Sequence, residues 1–226
     1  MLLFLRFYSC GSLESCKFHS KAYMATGLMY QIIPALLVPD KKTLIERLRA
    51  IEPYFSMAQI DVADGVFVPQ TTWANPTDMQ LIETPIHFEL HLMVQHPLQV
   101  ISDWKESPNV KRVIFHIECA DDPKKVIEEI LFYGWEAGVA INPETPTSAI
   151  EHILDRVSEA LFLGVHPGRS GAPFIPETVK KIREFSARLN SVVAPLAGAR
   201  KKAGAGPATT VNHLPKIAVD GGVSHD

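Results

Sequence analysis

Cysteine is scarce in this chain: three residues in 226, Cys10, Cys16 and Cys119, with no pattern that suggests a disulfide framework. The reading is reduced thiols in a cytosolic protein. Basic charge is not in excess either. Twenty-two Lys and Arg stand against 25 Asp and Glu, for a net charge of -3, so the basic footprint of a nucleic-acid partner is missing. Long apolar runs are missing too. The opening residues are apolar, but Arg6 interrupts them, and a membrane span needs ~20 such residues. A secretory signal would carry positive charge before the apolar run and a small-residue cleavage site after it, and neither is clear here. No Gly-x-Gly-x-x-Gly follows the first strand-like segment, so a dinucleotide-binding fold loses its main support. The expectation is a cytoplasmic protein with neither nucleic acid nor membrane as a partner.

What is present is an ordinary globular composition, 46% hydrophobic and 21% charged, on a length that suits one large domain. Residues 1–29 stand apart as an atypical tail, with several serines, Arg6, Lys17 and Lys21, and one acid, Glu14. That composition weakly resembles an organelle transit peptide. The plainer reading is an over-long start, with Met24 or Met29 as the true one. Residues 30–226 form the domain. From 31 onward, strand-like segments (31–38, 57–62, 88–94, 112–117, 136–141, 160–165, 217–219) alternate with helix-like ones (41–51, 77–82, 97–105, 123–133, 147–154, 176–189). Asp121 or Asp122 is placed to cap the fourth helix. Seven apolar strands in alternation with helices argue for a parallel sheet buried on both faces, as a barrel or an open doubly wound sheet. The stretch 191–213 is small and basic and reads as a surface loop or disordered insert, with phosphate capture by Arg200, Lys201 and Lys202 as a minor alternative.

Three strand ends carry polar groups. Asp61 and Asp64 lie in Met-Ala-Gln-Ile-Asp-Val-Ala-Asp-Gly-Val-Phe-Val-Pro (57–69), His91 in the third strand, and Asp220 in Ile-Ala-Val-Asp-Gly-Gly (217–222). A carboxylate at the end of an apolar strand is costly to bury unless it is paired. The C-terminal ends of parallel strands are also where such proteins place catalytic groups. Singly, Asp61 and Asp220 read as turn residues and His91 as a core histidine. Together, one His and two carboxylates make a workable set for a divalent metal with an open position. Glycine-rich turns follow the sixth strand (Gly168, Gly171) and the seventh (Gly221, Gly222). They are ordinary punctuation, or turns that let backbone N–H groups approach a phosphate.

The motifs Ile33-Pro-Ala-Leu-Leu37, Asp61-Val-Ala-Asp-Gly-Val-Phe-Val-Pro69, His91-Leu-Met-Val94, Phe115-His-Ile-Glu118, Gly138-Val-Ala-Ile-Asn-Pro143, Val165-His-Pro-Gly168 and Val219-Asp-Gly-Gly222 occur in one order over 32–224. In that order and spacing the chain resembles the ribulose-phosphate 3-epimerase family. The resemblance implies a TIM-type (β/α)8 barrel of ribulose-phosphate-binding type and a metal-dependent isomerase of the pentose phosphate pathway. Its substrate would be a phosphorylated ketose, with D-ribulose 5-phosphate and D-xylulose 5-phosphate interconverted at C3. It implies Asp61 and Asp220 as the acid/base pair, and Asp61, His91 and Asp220 as ligands of a divalent metal, zinc foremost, with Mn, Fe or Mg as alternatives. It further implies Met93 as a cover over the intermediate, and Gly168, Ser170, Gly171, Gly221 and Gly222 as substrate or phosphate contacts. Homo-oligomers are compatible with it.

The sequence also departs from the family. Gln59 stands where the family has a histidine ligand, and a neutral amide oxygen binds zinc less well than imidazole. Ala35 and Ala63 replace a serine and a methionine. The loop after strand six reads Pro-Gly-Arg-Ser-Gly-Ala (167–172), which brings in Arg169. No eighth strand with its Gly-Ser turn is legible, which predicts a barrel with open edges. The alternative functions are a non-catalytic sugar-phosphate-binding relative and an epimerase of a hexulose 6-phosphate.

Overall fold

The computed structural model describes residues 23–25, 28–119, 122–168, 171–199 and 215–221. Asp121, Arg169, Ser170, Arg200, Lys201, Lys202 and Gly222 lie outside them, as does most of the 1–29 segment. Near the start, β1 (Tyr23–Ala25) and β2 (Leu28–Tyr30) form a two-stranded antiparallel sheet that overlaps the end of the segment set apart as a tail and reaches one residue beyond it.

Seven parallel strands follow: β3 (Ala35–Leu36), β4 (Met57–Ala63), β5 (His87–Met93), β6 (Val110–His116), β7 (Glu136–Ile141), β8 (Glu159–Leu163) and β9 (Lys216–Asp220). Each pairs with the next in chain order, which gives one half-barrel sheet of a TIM-like α/β fold. Among the described residues no eighth parallel strand pairs with either edge. Alternate strand residues point to opposite faces. Ala58, Ile60, Val62, Phe88, Leu90, Leu92, Val113, Phe115, Val139 and Phe162 join the helices in the main core. Ile33, Ile114, Ala140, Leu161, Leu163 and Ala218 pack together in a separate, smaller cluster on the other face of the strands. Each buried Val, Leu, Ile or Phe side chain among these contributes about 1.5–3 kcal/mol relative to exposure.

The helices start where capping chemistry allows. Asp40 caps α1 (Lys41–Ile51) by accepting from the Thr43 N–H, and Leu44, Leu48 and Ile51 are its buried stripe. Asn75 caps α2 (Pro76–Met79), and Pro97 opens α3 (Pro97–Asp103). Asp122, one of the two expected caps, accepts from the Lys124 N–H at the start of α4 (Pro123–Phe132). Proline at a first helical position loses no bond, because that N–H has no partner in the helix.

Three sequence-based expectations differ from the structure. The helix expected over 147–154 is two short 3-10 turns, Thr147–Ala149 and Glu151–Ile153. Its buried residues, Thr147, Ile150 and Ile153, recur every third position, which suits three residues per turn better than 3.6. Helix α5 (Glu177–Ala199) runs through 191–199, where a loop was expected. Strand β3 is two residues long rather than eight.

One cluster was not foreseen. Arg112 Nη1 donates to Glu89 (2.9 Å) and Glu159 (2.5 Å), and its Nε and Nη2 donate to Glu136. Glu89 and Glu159 are 0% exposed. These four residues lie in the N-terminal halves of β5 to β8, away from the strand ends that hold the site.

Candidate active site at the strand ends

Asp61 on β4, His91 on β5 and Asp220 on β9 converge at the C-terminal end of the sheet. Asp61 and His91 sit in register across β4 and β5, so strand pairing alone makes them neighbours. Asp220 arrives from the far edge strand, brought round by the curvature of the half-barrel. His91 Nδ1 lies 3.0 Å from Asp61 Oδ1 and 3.7 Å from Asp220 Oδ2. All three residues are buried, and one ligand atom from each lies within 4.8 Å of the others. They line a cleft of about 350 Å³, open to solvent, together with Leu37, Met93, Leu163, Val165, Pro167, Gly168 and Gly221.

Gln59 completes the cluster from one turn of the pleat below Asp61. Its Nε2 donates to Asp61 Oδ1 (2.5 Å) and Asp220 Oδ2 (2.9 Å) and lies 3.4 Å from His91 Nδ1. Its Oε1 is buried without a hydrogen-bond partner. The amide nitrogen therefore stands where the two carboxylates converge, as a cation would. A donor set of two carboxylates and an imidazole, with an orphaned amide oxygen beside it, fits a divalent metal.

A second layer supports His91. His91 Nε2 faces His116 Nε2 at 3.0 Å, with the two rings stacked at 5.1 Å between centroids. His116 Nδ1 faces Glu118 Oε2 at 3.2 Å. Glu118 Oε1 accepts from the Asn142 N–H (2.8 Å) and from the Thr145 hydroxyl. Complete burial pushes the His116 pKa down to about 4, against the smaller pull of Glu118. Burial pushes Glu118 up, but the bonds from His116, Thr145 and Asn142 outweigh it and hold its carboxyl below the ordinary range. The motif Phe115-His-Ile-Glu118 was visible in the sequence. Its role was not, because nothing in the spacing shows which strand His116 will face.

Asp64 has a separate task. Its Oδ1 accepts from the N–H groups of Val66 and Phe67, and its Oδ2 from Gln95. Partial burial pushes its pKa up, and those three backbone donors together hold it below the ordinary value. Met93 is buried against Ala63 and Val68 at the cleft wall. Gly168 and Gly221 line the cleft with φ of 76° and 86°. A Cβ at Gly221 would stand 2.4 Å from Val165 Cγ2, and one at Gly168 would stand 2.6 Å from Gln70 Oε1. Only glycine fits either position. Gly171 also has positive φ, but it does not line the cleft.

The half-barrel and its paired strand-end carboxylates define an α/β enzyme of TIM type with a site suited to acid/base chemistry. Residues 31–226 match the model of the ribulose-phosphate 3 epimerase family, so the chain belongs to that family and is an epimerase, an isomerase-class enzyme. It is 30% identical to the ribulose-phosphate 3-epimerase of Mycobacterium bovis over 196 residues, 86% of this chain and 76% of that protein. It is 34% identical to the enzyme of the same name from Methanocaldococcus jannaschii over 165 residues, 71% of this chain and 68% of the relative. The chloroplastic ribulose-5-phosphate-3-epimerase of Arabidopsis thaliana is 32% identical over 158 residues, 68% of this chain and 56% of that protein. No helix among the described residues is long and apolar enough to cross a membrane.

Proposed function

We propose that the chain interconverts D-ribulose 5-phosphate and D-xylulose 5-phosphate by proton transfer at C3, with Asp61 and Asp220 as the acid/base pair. The observation that carries this reading is the approach of both carboxylates to one point, the Gln59 amide nitrogen, one from β4 beside the first edge of the sheet and one from β9 at the other edge. A substrate carbon seated between them would meet one carboxylate on each face. The ionised Asp takes the C3 proton, the electron pair moves toward the carbonyl, and the protonated Asp returns a proton to the other face. Each turnover leaves the two groups with their protonation states exchanged. A divalent cation held by Asp61, His91 and Asp220, zinc foremost and Mn, Fe or Mg in its place, would supply Lewis-acid stabilisation of the negative charge that develops as C3 loses its proton. Gln59 Oε1 is available to the same ion once the amide turns over. Met93 gives the cleft an apolar wall that excludes water. Gly168 and Gly221 let backbone approach the phosphate closely, and Ser170, Gly171 and Gly222 belong to the same grip in this reading.

A step in the pentose phosphate pathway and a cytoplasmic location go with this substrate. One specific observation favours the second reading, a non-catalytic sugar-phosphate binder: the Gln59 amide already satisfies both carboxylates without a metal. The test is incubation with ribulose 5-phosphate and Zn²⁺, Mn²⁺ or Fe²⁺ in deuterated water. Epimerisation with deuterium at C3 is expected, lowered about 10²–10⁴-fold in Asp61→Asn and Asp220→Asn. Binding of the sugar phosphate without exchange under any metal would leave the binder reading in its place. A faster rate on a hexulose 6-phosphate would move the substrate assignment.

A further inference from the structure

We propose that Thr72 is a positioning residue for Asp61: its hydroxyl takes the place of a missing strand partner and clamps the end of β4 that carries the carboxylate. Strand β4 is supported unequally on its two sides. Toward β5 its pairing runs through to Ala63, opposite Met93. Toward β3 it stops at Ile60, opposite Leu36. Alternate residues of a parallel strand bond to the same neighbour, and the Gln59 N–H donates to Pro34 O on the β3 side. Asp61 and Ala63 therefore turn their N–H and C=O groups to that side as well, past the point where β3 ends. Both residues are buried, and a buried backbone group without a partner is costly. Thr72 meets the need. The Ala63 N–H donates to Thr72 Oγ1 (2.9 Å), and the hydroxyl gives its own hydrogen to Asp61 O (2.7 Å). The Thr72 N–H donates in turn to Ala63 O (3.2 Å), and the Trp73 N–H to Val38 O (2.9 Å). Thr72 and Trp73 thus fill the gap between the end of β4 and Val38, beyond the end of β3.

The clamp acts on the strand and not on the loop that follows it. That loop has its own anchor in Asp64, which accepts from the N–H groups of Val66, Phe67 and Gln95. Without the Thr72 hydroxyl the loop keeps those bonds, while the Asp61 C=O and the Ala63 N–H lose theirs. The Asp61 carboxylate lies 3.0 Å from His91 Nδ1 and accepts from the Gln59 amide, so a shift of its backbone moves one of two opposed carboxylates against the other. A misplacement of about 1 Å in such a pair costs on the order of 10²-fold in rate. The consequence for rate rests on the proposed role of Asp61; the clamp itself does not.

The experiment pairs steady-state kinetics on ribulose 5-phosphate with amide hydrogen exchange followed by NMR, in the parent chain, Thr72→Val and Thr72→Ser. Thr72→Val keeps the shape and loses the hydroxyl, whereas Thr72→Ser keeps the hydroxyl. In Thr72→Val kcat should fall about 10–100-fold with KM unchanged, and Thr72→Ser should restore it. The Ala63 amide should exchange as slowly as that of Gln59 in the parent chain and in Thr72→Ser, and should lose that protection in Thr72→Val. Full kcat in folded Thr72→Val, a loss shared equally by Thr72→Ser, or unchanged protection of Ala63 in Thr72→Val overturns the proposal. If Thr72→Val does not fold, Thr72→Ala removes the hydroxyl without a branched side chain and carries the same comparison. A parent chain without turnover under any metal removes the epimerase reading instead, and the Ala63 amide then decides the clamp alone.

Discussion

Replacing Gln59 by alanine should tighten zinc binding, although it deletes a side chain from the candidate metal site. The reason lies in what the amide does in the metal-free protein. Its nitrogen donates to Asp61 and Asp220, two hydrogen bonds to charged acceptors, each worth about 1.5–3 kcal/mol. A cation that enters must break both. Turning the amide over gives the orphaned Oε1 a partner, which recovers about 1–3 kcal/mol. The difference opposes loading by roughly 2–3 kcal/mol, or ~30–150-fold at about 1.4 kcal/mol per factor of ten. Gln59→Ala removes that opposition and leaves Asp61, His91 and Asp220 with a position for water. Gln59→His removes it and adds an imidazole, so it should bind zinc more tightly still. Gln59→Ala also removes the amide that donates to both carboxylates, so the metal-free variant should melt lower and gain more from added zinc. The assay is titration calorimetry on chelator-stripped protein, with melting curves at fixed zinc. Weaker zinc binding by Gln59→Ala than by the parent would show that the amide acts as an ordinary ligand, and the reasoning would fail.

Arg112→Met should cost about 3–5 kcal/mol, because it leaves Glu89 and Glu159 buried without their cation. Urea denaturation checks this as a lower midpoint at an unchanged slope. Stability should also fall on mild acidification. His116 has its pKa lowered from 6.5 to about 4, so the unfolded chain takes up the proton first. The contribution of neutral His116 is full above pH 6.5 and is lost as pH falls toward 4, ~3 kcal/mol in all. Urea midpoints at pH 7 and pH 4.5 should converge in His116→Gln, and an equal pH dependence in both proteins would count against the assignment.

The sheet was legible because its strands are apolar, separate and bounded by turn residues. Strands β4 to β9 fall within about two residues of their expected places. Asp61, His91 and Asp220 stood out as polar groups at strand ends, and the structure brings all three together. Gln59 was legible as a substitution, but its nitrogen-inward geometry was not, since an amide can present either atom to a neighbour. Arg112 and its glutamates were invisible for a related reason. Glu89, Arg112, Glu136 and Glu159 lie on four different strands, and only the register of β5 through β8 makes them partners. The 3-10 turns escaped because a window of eight residues with buried positions every third place resembles a short helix until its hydrogen bonds are seen.

The two polar clusters of the half-barrel also differ in when they can form. The Arg112 cluster draws on β5, β6, β7 and β8 and is complete once those strands have paired. The bond from Gln59 to Asp220 spans 161 positions and waits for β9. Until β9 docks, Asp61 and His91 face an unfinished cleft held by neighbouring strands alone. Contacts of such long sequence separation are slow to close. A refolding chain should therefore pass through a species with its lower layer set and its site half built. Recovery of zinc binding would lag recovery of secondary structure by the time β9 needs to find β8.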